Sequence, residues 1–482
     1  MKFEVKQMSK RITVFFVLFI ISIVQVHAQH QEITEKPETY KGKQQNTIDT
    51  NSILHAFKAG KFNGHFRYFF MATDNESGLT DYYANAIGGG LRFETARFHG
   101  FQMAVSGFYI FNVGSSDFTK NDSVTGQPNR YELALFDVED PLNKKDLDRL
   151  EELYIKYGFS KSSITFGRQL INTPLINLQD GRMRPTGVEG LMFEFNELGK
   201  TKIEGGILYA FSPRGTVKWY DPGKSIGIYP VGINPDGTKS GYAGNINSNA
   251  VALIGLTSAV SDKFKIQLWD FFTDNVFNTA LLQVDYTAIQ NNKSELFAAA
   301  QFIRQDAVNN GGNIDQQKSY FLKGGKSMTF GVKAGWKNKR WETSVNYNRI
   351  TAHGRYLVPR EWGRDPFFTF MPRERNEGLG NVHAVVGKMN YHFAKARIKT
   401  SLVAGYFKLP DVKDLAHNKY GLPSYLQVNA DIRYLFSRIF QGLEAQLLVV
   451  GKKNLGETYG NKRFINNKVN LIQYNFVLNY HF

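Results

Sequence analysis

The chain has 482 residues, a formal net charge of +16 and no cysteine. The absence of cysteine excludes a disulfide-stapled fold and any cysteine-ligated metal site. The 39 phenylalanines, 24 tyrosines and 44 glycines favour a β-rich chain, and after residue 28 no run of apolar residues is long enough for a transmembrane helix.

The start of the sequence has the three-part pattern of a secretory signal peptide. Four basic residues lie before an apolar stretch at 12–26, and Ala28 ends a small-residue cleavage site. We therefore expect residues 1–28 to be removed on export. Residues 29–60 form a polar N-terminal extension. For an exported chain, the basic charge points to phosphate-rich lipid headgroups or anionic solutes rather than to nucleic acid.

Runs in which apolar and polar residues alternate recur through residues 61–482. "YLQVNADIRY" at 425–434 is one of eighteen such runs. Short connections, such as "SD" and "NK", alternate with long ones. A soluble β-sandwich would also alternate along its strands, but its loop lengths would not sort by parity. We therefore predict an all-β fold: an 18-stranded antiparallel transmembrane β-barrel with short periplasmic turns and long extracellular loops.

The last run, "NFVLNYHF", supports the barrel. Phe482, Tyr480, Leu478 and Phe476 form one apolar face of this strand. A soluble chain rarely ends with its last side chain buried, because termini fray. A lipid-facing closing strand explains the pattern, and we expect Phe482 to act as an assembly signal that the outer-membrane assembly machinery reads.

Motifs for catalysis are weak. "GKSIG" at 223–227 has the spacing of a nucleophile elbow but lies in a proline-flanked loop rather than between a strand and a helix. The ten histidines form no H-E-x-x-H motif. We expect no catalytic residues, no metal site and no cofactor.

The segment "INTPLINLQDGRMRPTGVEG" resembles the OprD-like outer-membrane porin family, as does the pair "LQVNADIRYLF" and "GLEAQLLVV" near the end. The matching positions in the first segment are Pro174, Asp180, Arg182, Pro185 and Gly190. The resemblance implies an 18-stranded porin and agrees with the strand count. The long polar extension and the arginine- and aromatic-rich segment at 352–379 depart from the family pattern.

The segment at 170–186 is the third long outer loop by parity, and in many porins this loop narrows the lumen. We therefore predict a pore constriction formed by Asp180, Arg182, Arg184 and Pro185. Arginine is permanently charged and binds carboxylates in a bidentate manner, so the two arginines would act on anions.

A basic row is predicted on the inward face of strands 14 to 16, formed by Lys388, Arg397, Lys399 and Arg433. These side chains could pass an anionic solute along the lumen. An ion-paired wall is the open alternative, because acidic residues of the barrel are also expected to face inward, namely Asp431, Glu444, Glu204 and Glu152.

These features predict a passive diffusion channel in the outer membrane of a Gram-negative bacterium. Its solutes would be small and polar, and carboxylate-bearing, other anionic or amphoteric nutrients are favoured. Expected partners are outer-membrane lipid and lipopolysaccharide, the assembly machinery and small-molecule solutes, with a monomeric or trimeric state. The alternatives are a non-conducting surface receptor or adhesin and a barrel-embedded hydrolase.

Overall fold

The computed structural model describes residues 48–143, 145–179, 181–291 and 294–482. The signal peptide predicted at 1–28, most of the N-terminal extension and Asp180 lie outside these residues. Within the described chain, eighteen long strands form one sheet, which also includes the two-residue strands Asp49–Thr50 and Arg97–Phe98. The long strands are β1 Lys61–Asp74, β2 Tyr82–Glu94, β3 Phe101–Asn112, β4 Asp148–Phe159, β5 Ser162–Gln169, β6 Gly187–Leu198, β7 Thr201–Ser212, β8 Val251–Ala259, β9 Phe264–Thr273, β10 Phe277–Asn291, β11 Ser294–Ala307, β12 Lys326–Asn338, β13 Trp341–Ile350, β14 Val382–Phe393, β15 Ile398–Lys408, β16 Tyr425–Leu435, β17 Leu443–Asn454 and β18 Leu471–His481.

The sheet closes on itself. Each of these strands pairs antiparallel with its chain neighbours, and β18 pairs with β1 from His65↔His481 to Asp74↔Ile472. Turns such as 160–161 and 339–340 lie at one end, and long loops such as 213–250 and 351–381 lie at the other. The predicted 18-stranded antiparallel barrel is therefore confirmed. We call the two ends the short-turn end and the loop end.

The two faces of the barrel wall differ as the alternation predicts. In β18, Ile472, Tyr474 and Phe476 are 37–42% exposed on the outer face, whereas Gln473 and Asn475 are buried on the inner face. Eighteen strands enclose a lumen too wide for wall side chains to fill. Lumen side chains such as Gln427 and Gln473 are buried where a loop folds over them. The loop aromatic residues Tyr356, Trp362 and Phe367 belong to a buried apolar cluster.

A short N-terminal segment is attached at the short-turn end. Asp49–Thr50 pairs in parallel with Arg97–Phe98 in the connection between β2 and β3. The helix α1, Ile53–Lys58, comes next, and the Ser52 hydroxyl caps it by accepting from the His55 backbone N–H at 3.3 Å. In the described part of the chain, no helix is long and apolar enough to cross a membrane.

Phe482 is held at the seam where the barrel closes. Its N–H donates to the Gly64 carbonyl at 3.1 Å, and the Gly64 N–H donates to its carbonyl at 2.8 Å. The Phe482 ring lies directly over Gly64, where a Cβ would fall 2.0 Å from the ring. Glycine at this position therefore makes room for the ring, which also stacks on Tyr480.

We predict that Phe482→Asp lowers the yield of folded barrel. The substitution removes about 2 kcal/mol of apolar contact and places a charge on the outer face next to the seam. The measurement is the fraction of membrane-inserted protein that shows heat-modifiable migration.

Ile439→Asp is the matched control, because Ile439 lies in a short-end turn, is 88% exposed and takes no part in closure. Equal barrel yields for the two variants would contradict a role for Phe482 in assembly.

Candidate functional site

The 170–186 loop, between β5 and β6, folds into the lumen. Arg182, Arg184 and Pro185 are buried, although an outer loop in solvent would expose them. The Arg67 guanidinium, on the inner face of β1, donates to the Arg182 carbonyl and at 2.6 Å to Asn479 Oδ1 on β18. The loop backbone is thus tied to the wall across from its own strands.

The 351–381 loop, between β13 and β14, also enters the lumen. Its Pro372 carbonyl accepts from Gln427 Nε2 at 2.7 Å and from Asn429 Nδ2 at 3.2 Å, both on β16. The Arg373 guanidinium donates to Asn475 Oδ1 on β18 at 2.6 Å and to Gln473 Oε1. The loop that departs from the family pattern in sequence is therefore a second lumen element.

The two loops are joined by Asn177. Its side chain accepts from the Arg364 N–H at 3.0 Å and donates to the Arg364 carbonyl at 3.1 Å. Its backbone N–H donates to the Trp362 carbonyl at 3.0 Å. Trp362 in turn stacks on Phe211 of β7, with ring centroids 4.7 Å apart. The loops thus form one bridge across the lumen.

Beside this bridge lies a cavity of about 1310 Å³ with a strongly basic lining. Among the described residues, ten basic side chains and three acidic ones line it. The basic ones are Arg67, Arg130, Arg182, Arg214, Lys239, Arg360, Arg364, Arg373, Arg375 and Arg433, and the acidic ones are Asp140, Glu374 and Asp431.

Arg182, Arg214 and Arg373 form the part of the lining that we call the arginine eyelet. Burial lowers the pKa of Arg182 well below its usual range, and the like charges of Arg373 and Arg214 lower it further. Burial and Arg214 lower the pKa of Arg373 to about 10. Among the described residues, no carboxylate lies within 4.0 Å of Arg182 or Arg373. An anion between these guanidinium groups would relieve their mutual repulsion.

The other predicted constriction residues have different surroundings. The Arg184 guanidinium does not line the cavity; it is fully buried against the wall and donates to the Leu147 carbonyl at 3.0 Å. The Pro185 carbonyl accepts from Arg149 on β4. Of the predicted constriction residues that the structure describes, Arg182 alone lines the cavity.

The predicted basic row is only partly assembled. Lys388 lies opposite Ser344 and Val403 on the inner face, and Lys399 lies opposite Arg433. Arg433 is 3.5 Å from Asp431 and 3.4 Å from Glu444, as in the ion-paired wall.

The placement of Arg397 on a strand face is wrong. Arg397 is exposed in the short turn before β15, which begins at Ile398, and its backbone has φ +56°. A turn residue in this left-handed region ends the alternation that placed it.

Sequence reasoning did not assign Arg67, Arg214 or Arg373 to the site. Arg67 could have been found, because period two places it on the inner face of β1. Arg214 and Arg373 lie in loops without periodicity. The arginine-rich composition of 352–379 was a signal for Arg373 only.

A closed barrel with an apolar outer face and a polar lumen narrowed by inward-folded loops defines an outer-membrane channel. The model of the family "outer membrane porin, OprD family" matches residues 60–360. The chain therefore belongs to the OprD family of outer-membrane porins. Short turns then face the periplasm, and long loops face the cell exterior.

Solved structures share this fold at low sequence identity. The chain is similar to OccK3 (OpdO) of Pseudomonas aeruginosa, with 13% identity, a TM-score of 0.66 and coverage of 89% of this chain and 97% of that one. It is similar to P. aeruginosa OpdK with vanillate, with 13% identity, a TM-score of 0.68 and coverage of 88% and 99%. It is also similar to Acinetobacter baumannii OccAB4, with 14% identity, a TM-score of 0.67 and coverage of 88% of this chain and 98% of that one. No curated protein matches the chain.

Arg182 and Arg184 are two residues apart, and we predict different effects of replacing them. Arg182→Gln should raise the cation-to-anion permeability ratio roughly fivefold, since a charge about 8 Å from a permeant ion in a water-filled lumen contributes about 0.5 kcal/mol, with opposite sign for cations and anions. Arg184→Met should leave the ratio unchanged, because its side chain is outside the cavity lining. The measurement is the reversal potential under a salt gradient; equal shifts would contradict the assignment.

We further predict that Asn177→Ala loosens the bridge between the loops. The variant loses the two side-chain hydrogen bonds to Arg364 across the bridge, each contributing about 1 kcal/mol. It also loses one to the Pro174 carbonyl within its own loop. Single-channel recordings should show more frequent current fluctuations than the wild type.

Asn313→Ala is the control, because its side chain donates to the Asn245 carbonyl in outer loops away from the bridge. Identical current noise in the wild type and Asn177→Ala would show that this contact does not hold the bridge.

Proposed function

We propose that this porin is a diffusion channel with a preference for small solutes that carry a carboxylate. The observation that carries the proposal is the arginine eyelet, which places Arg182, Arg214 and Arg373 around one cavity. A carboxylate can accept two parallel N–H bonds from one guanidinium, and such charge-assisted bonds are about twice as strong as neutral ones. A neutral solute of the same shape lacks this stabilisation.

The geometry of the arginines supports selectivity rather than tight capture. Arg373 is oriented by amide oxygens of Gln473 and Asn475, so its charge is not cancelled where it is held. Neutral acceptors fix the direction of a guanidinium and leave its charge available to a passing anion.

Aromatic side chains near the arginines favour solutes with a flat apolar part. Arg360 lies over the Tyr229 ring at 5.4 Å, and Arg364 lies over the Phe370 ring at 5.0 Å. All four residues line the cavity. An aromatic carboxylate would contact both ring faces and guanidinium groups. The neighbour OpdK was solved with vanillate, which is such a molecule.

Flux of benzoate and benzamide into liposomes containing the purified porin tests the proposal, because the two solutes differ in charge and hardly in shape. The wild type should pass benzoate faster. Replacing Arg182 and Arg373 together by glutamine should reduce benzoate flux about tenfold, as expected from losing one or two charge-assisted hydrogen bonds.

Benzamide flux should change little in this variant, and Arg184→Met should match the wild type for both solutes. Equal wild-type flux of the two solutes would contradict the carboxylate preference while leaving the channel itself intact. Folded protein that passes neither solute would favour the receptor or adhesin alternative.

A further inference from the structure

The outer face of the barrel carries a set of cations at the extracellular end of β13 to β17. Arg349, His383 and Lys408 lie directly opposite one another on adjacent strands, because Arg349 pairs with His383 and His383 pairs with Lys408. Lys453 lies two strands further on, opposite Leu426. The period of two places all four residues on the same face as the exposed lipid-facing residues of their strands. We call Arg349, Lys408 and Lys453 the rim cations, and His383 lies between the first two.

The rim cations are not neutralised by carboxylates of the described chain. The Arg349 guanidinium donates to the Val382 carbonyl at 3.1 Å and to Asn381 Oδ1 at 2.8 Å, both neutral acceptors. Within the described residues, no carboxylate lies within 4.0 Å of any rim cation. Arg349 and Lys408 lie on either side of His383 on adjacent strands, and an anion bound between them would balance their charges.

The rest of the extracellular rim has a different charge pattern. Outward-facing charged residues of β1, β4 and β9 are acidic at this end: Asp74, Asp148 and Asp270. On β11, Arg304 is paired with Asp306 at 2.7 Å. The rim cations are thus concentrated on one sector of the barrel.

The depth of the rim cations matches the headgroup level of a membrane. One step toward the middle of the barrel on the same face lie Tyr347, whose hydroxyl is 2.9 Å from His383 Nδ1, and Tyr406, which is 45% exposed. Val385 lies opposite Tyr347 at the same level, and Val345 is the next residue on this face of β13; both are exposed and apolar. Tyrosine prefers the boundary between hydrocarbon and headgroups. Groups just outside that boundary lie beside lipid phosphates.

We propose that the rim cations bind the phosphate groups of a phosphorylated lipid in the outer leaflet. Cations on neighbouring strands can contact separate phosphates of one lipid, so the site fits a lipid that carries more than one phosphate. Cations at this level attract anionic lipid. The site lies on the outside of the barrel and is independent of the arginine eyelet, so it concerns the lipid partner and not the solute.

The test measures lipid retained by purified porin in detergent micelles doped with diphosphorylated lipid A. Native mass spectrometry counts bound lipid, with dephosphorylated lipid A as the comparison. The wild type should retain the phosphorylated lipid and not the dephosphorylated one.

Arg349→Gln combined with Lys408→Gln should reduce retention about tenfold. Lys408→Gln with Lys453→Gln is a second variant that should also lower retention and should fold normally, since both lysines are exposed.

Arg304→Gln is the matched control, because Arg304 is an outward-facing cation at the same rim that is already paired with Asp306. Its retention should equal that of the wild type. Equal retention in the double variants and the control would overturn the proposal. Wild-type binding of dephosphorylated lipid would also overturn it, as would full displacement of the lipid by millimolar inorganic phosphate.

Discussion

The constraint on which the structure depends is that no strand in a membrane may leave its backbone unpaired. Each unsatisfied N–H or C=O in hydrocarbon costs several kcal/mol, so the sheet has to close. Here closure is made by β18 on β1, and Phe482 extends it through its paired backbone contact with Gly64. Closure gives each strand one lipid face and one lumen face, and the alternation along every strand is the result.

The width of the closed barrel creates the functional site. Wall side chains cannot fill the lumen of eighteen strands, and the 170–186 and 351–381 loops occupy part of it. Their backbones carry polar groups that need partners, and wall residues such as Arg67, Gln427 and Asn429 supply them. Asn475 of the wall accepts from the Arg373 guanidinium. The wall thereby orients the loop arginines before any solute arrives. Such preorganisation is what makes a charged constriction selective.

The features of this barrel that depend on period two and loop parity could be predicted from the sequence. They include the strand count, the outer face of β18 and the inward position of Lys388. The prediction for Arg397 is wrong because β15 begins only at Ile398, so Arg397 lies in the turn before the strand and not on a strand face. The different surroundings of Arg182 and Arg184 could not be predicted from the sequence. Both residues lie in a loop, where side-chain direction follows no period, and their surroundings depend on contacts across the lumen. The same limit applies to Arg373, whose partners on β18 are about 100 residues away along the chain.

The rim cations lie on periodic strand faces, but recognising them also requires the cross-strand register that puts Arg349 beside His383 and His383 beside Lys408.

Central to this picture of the channel is that loops folded into the lumen place uncancelled arginine charge on the permeation path. The most direct measurement is the ratio of chloride to potassium permeability of the wild-type porin in a planar bilayer under a KCl gradient. We predict that at low salt the reversal potential lies toward the chloride equilibrium potential. It should move toward zero as the salt concentration rises, because salt screens the arginine charges. A conducting, folded porin that prefers potassium at low salt would contradict it.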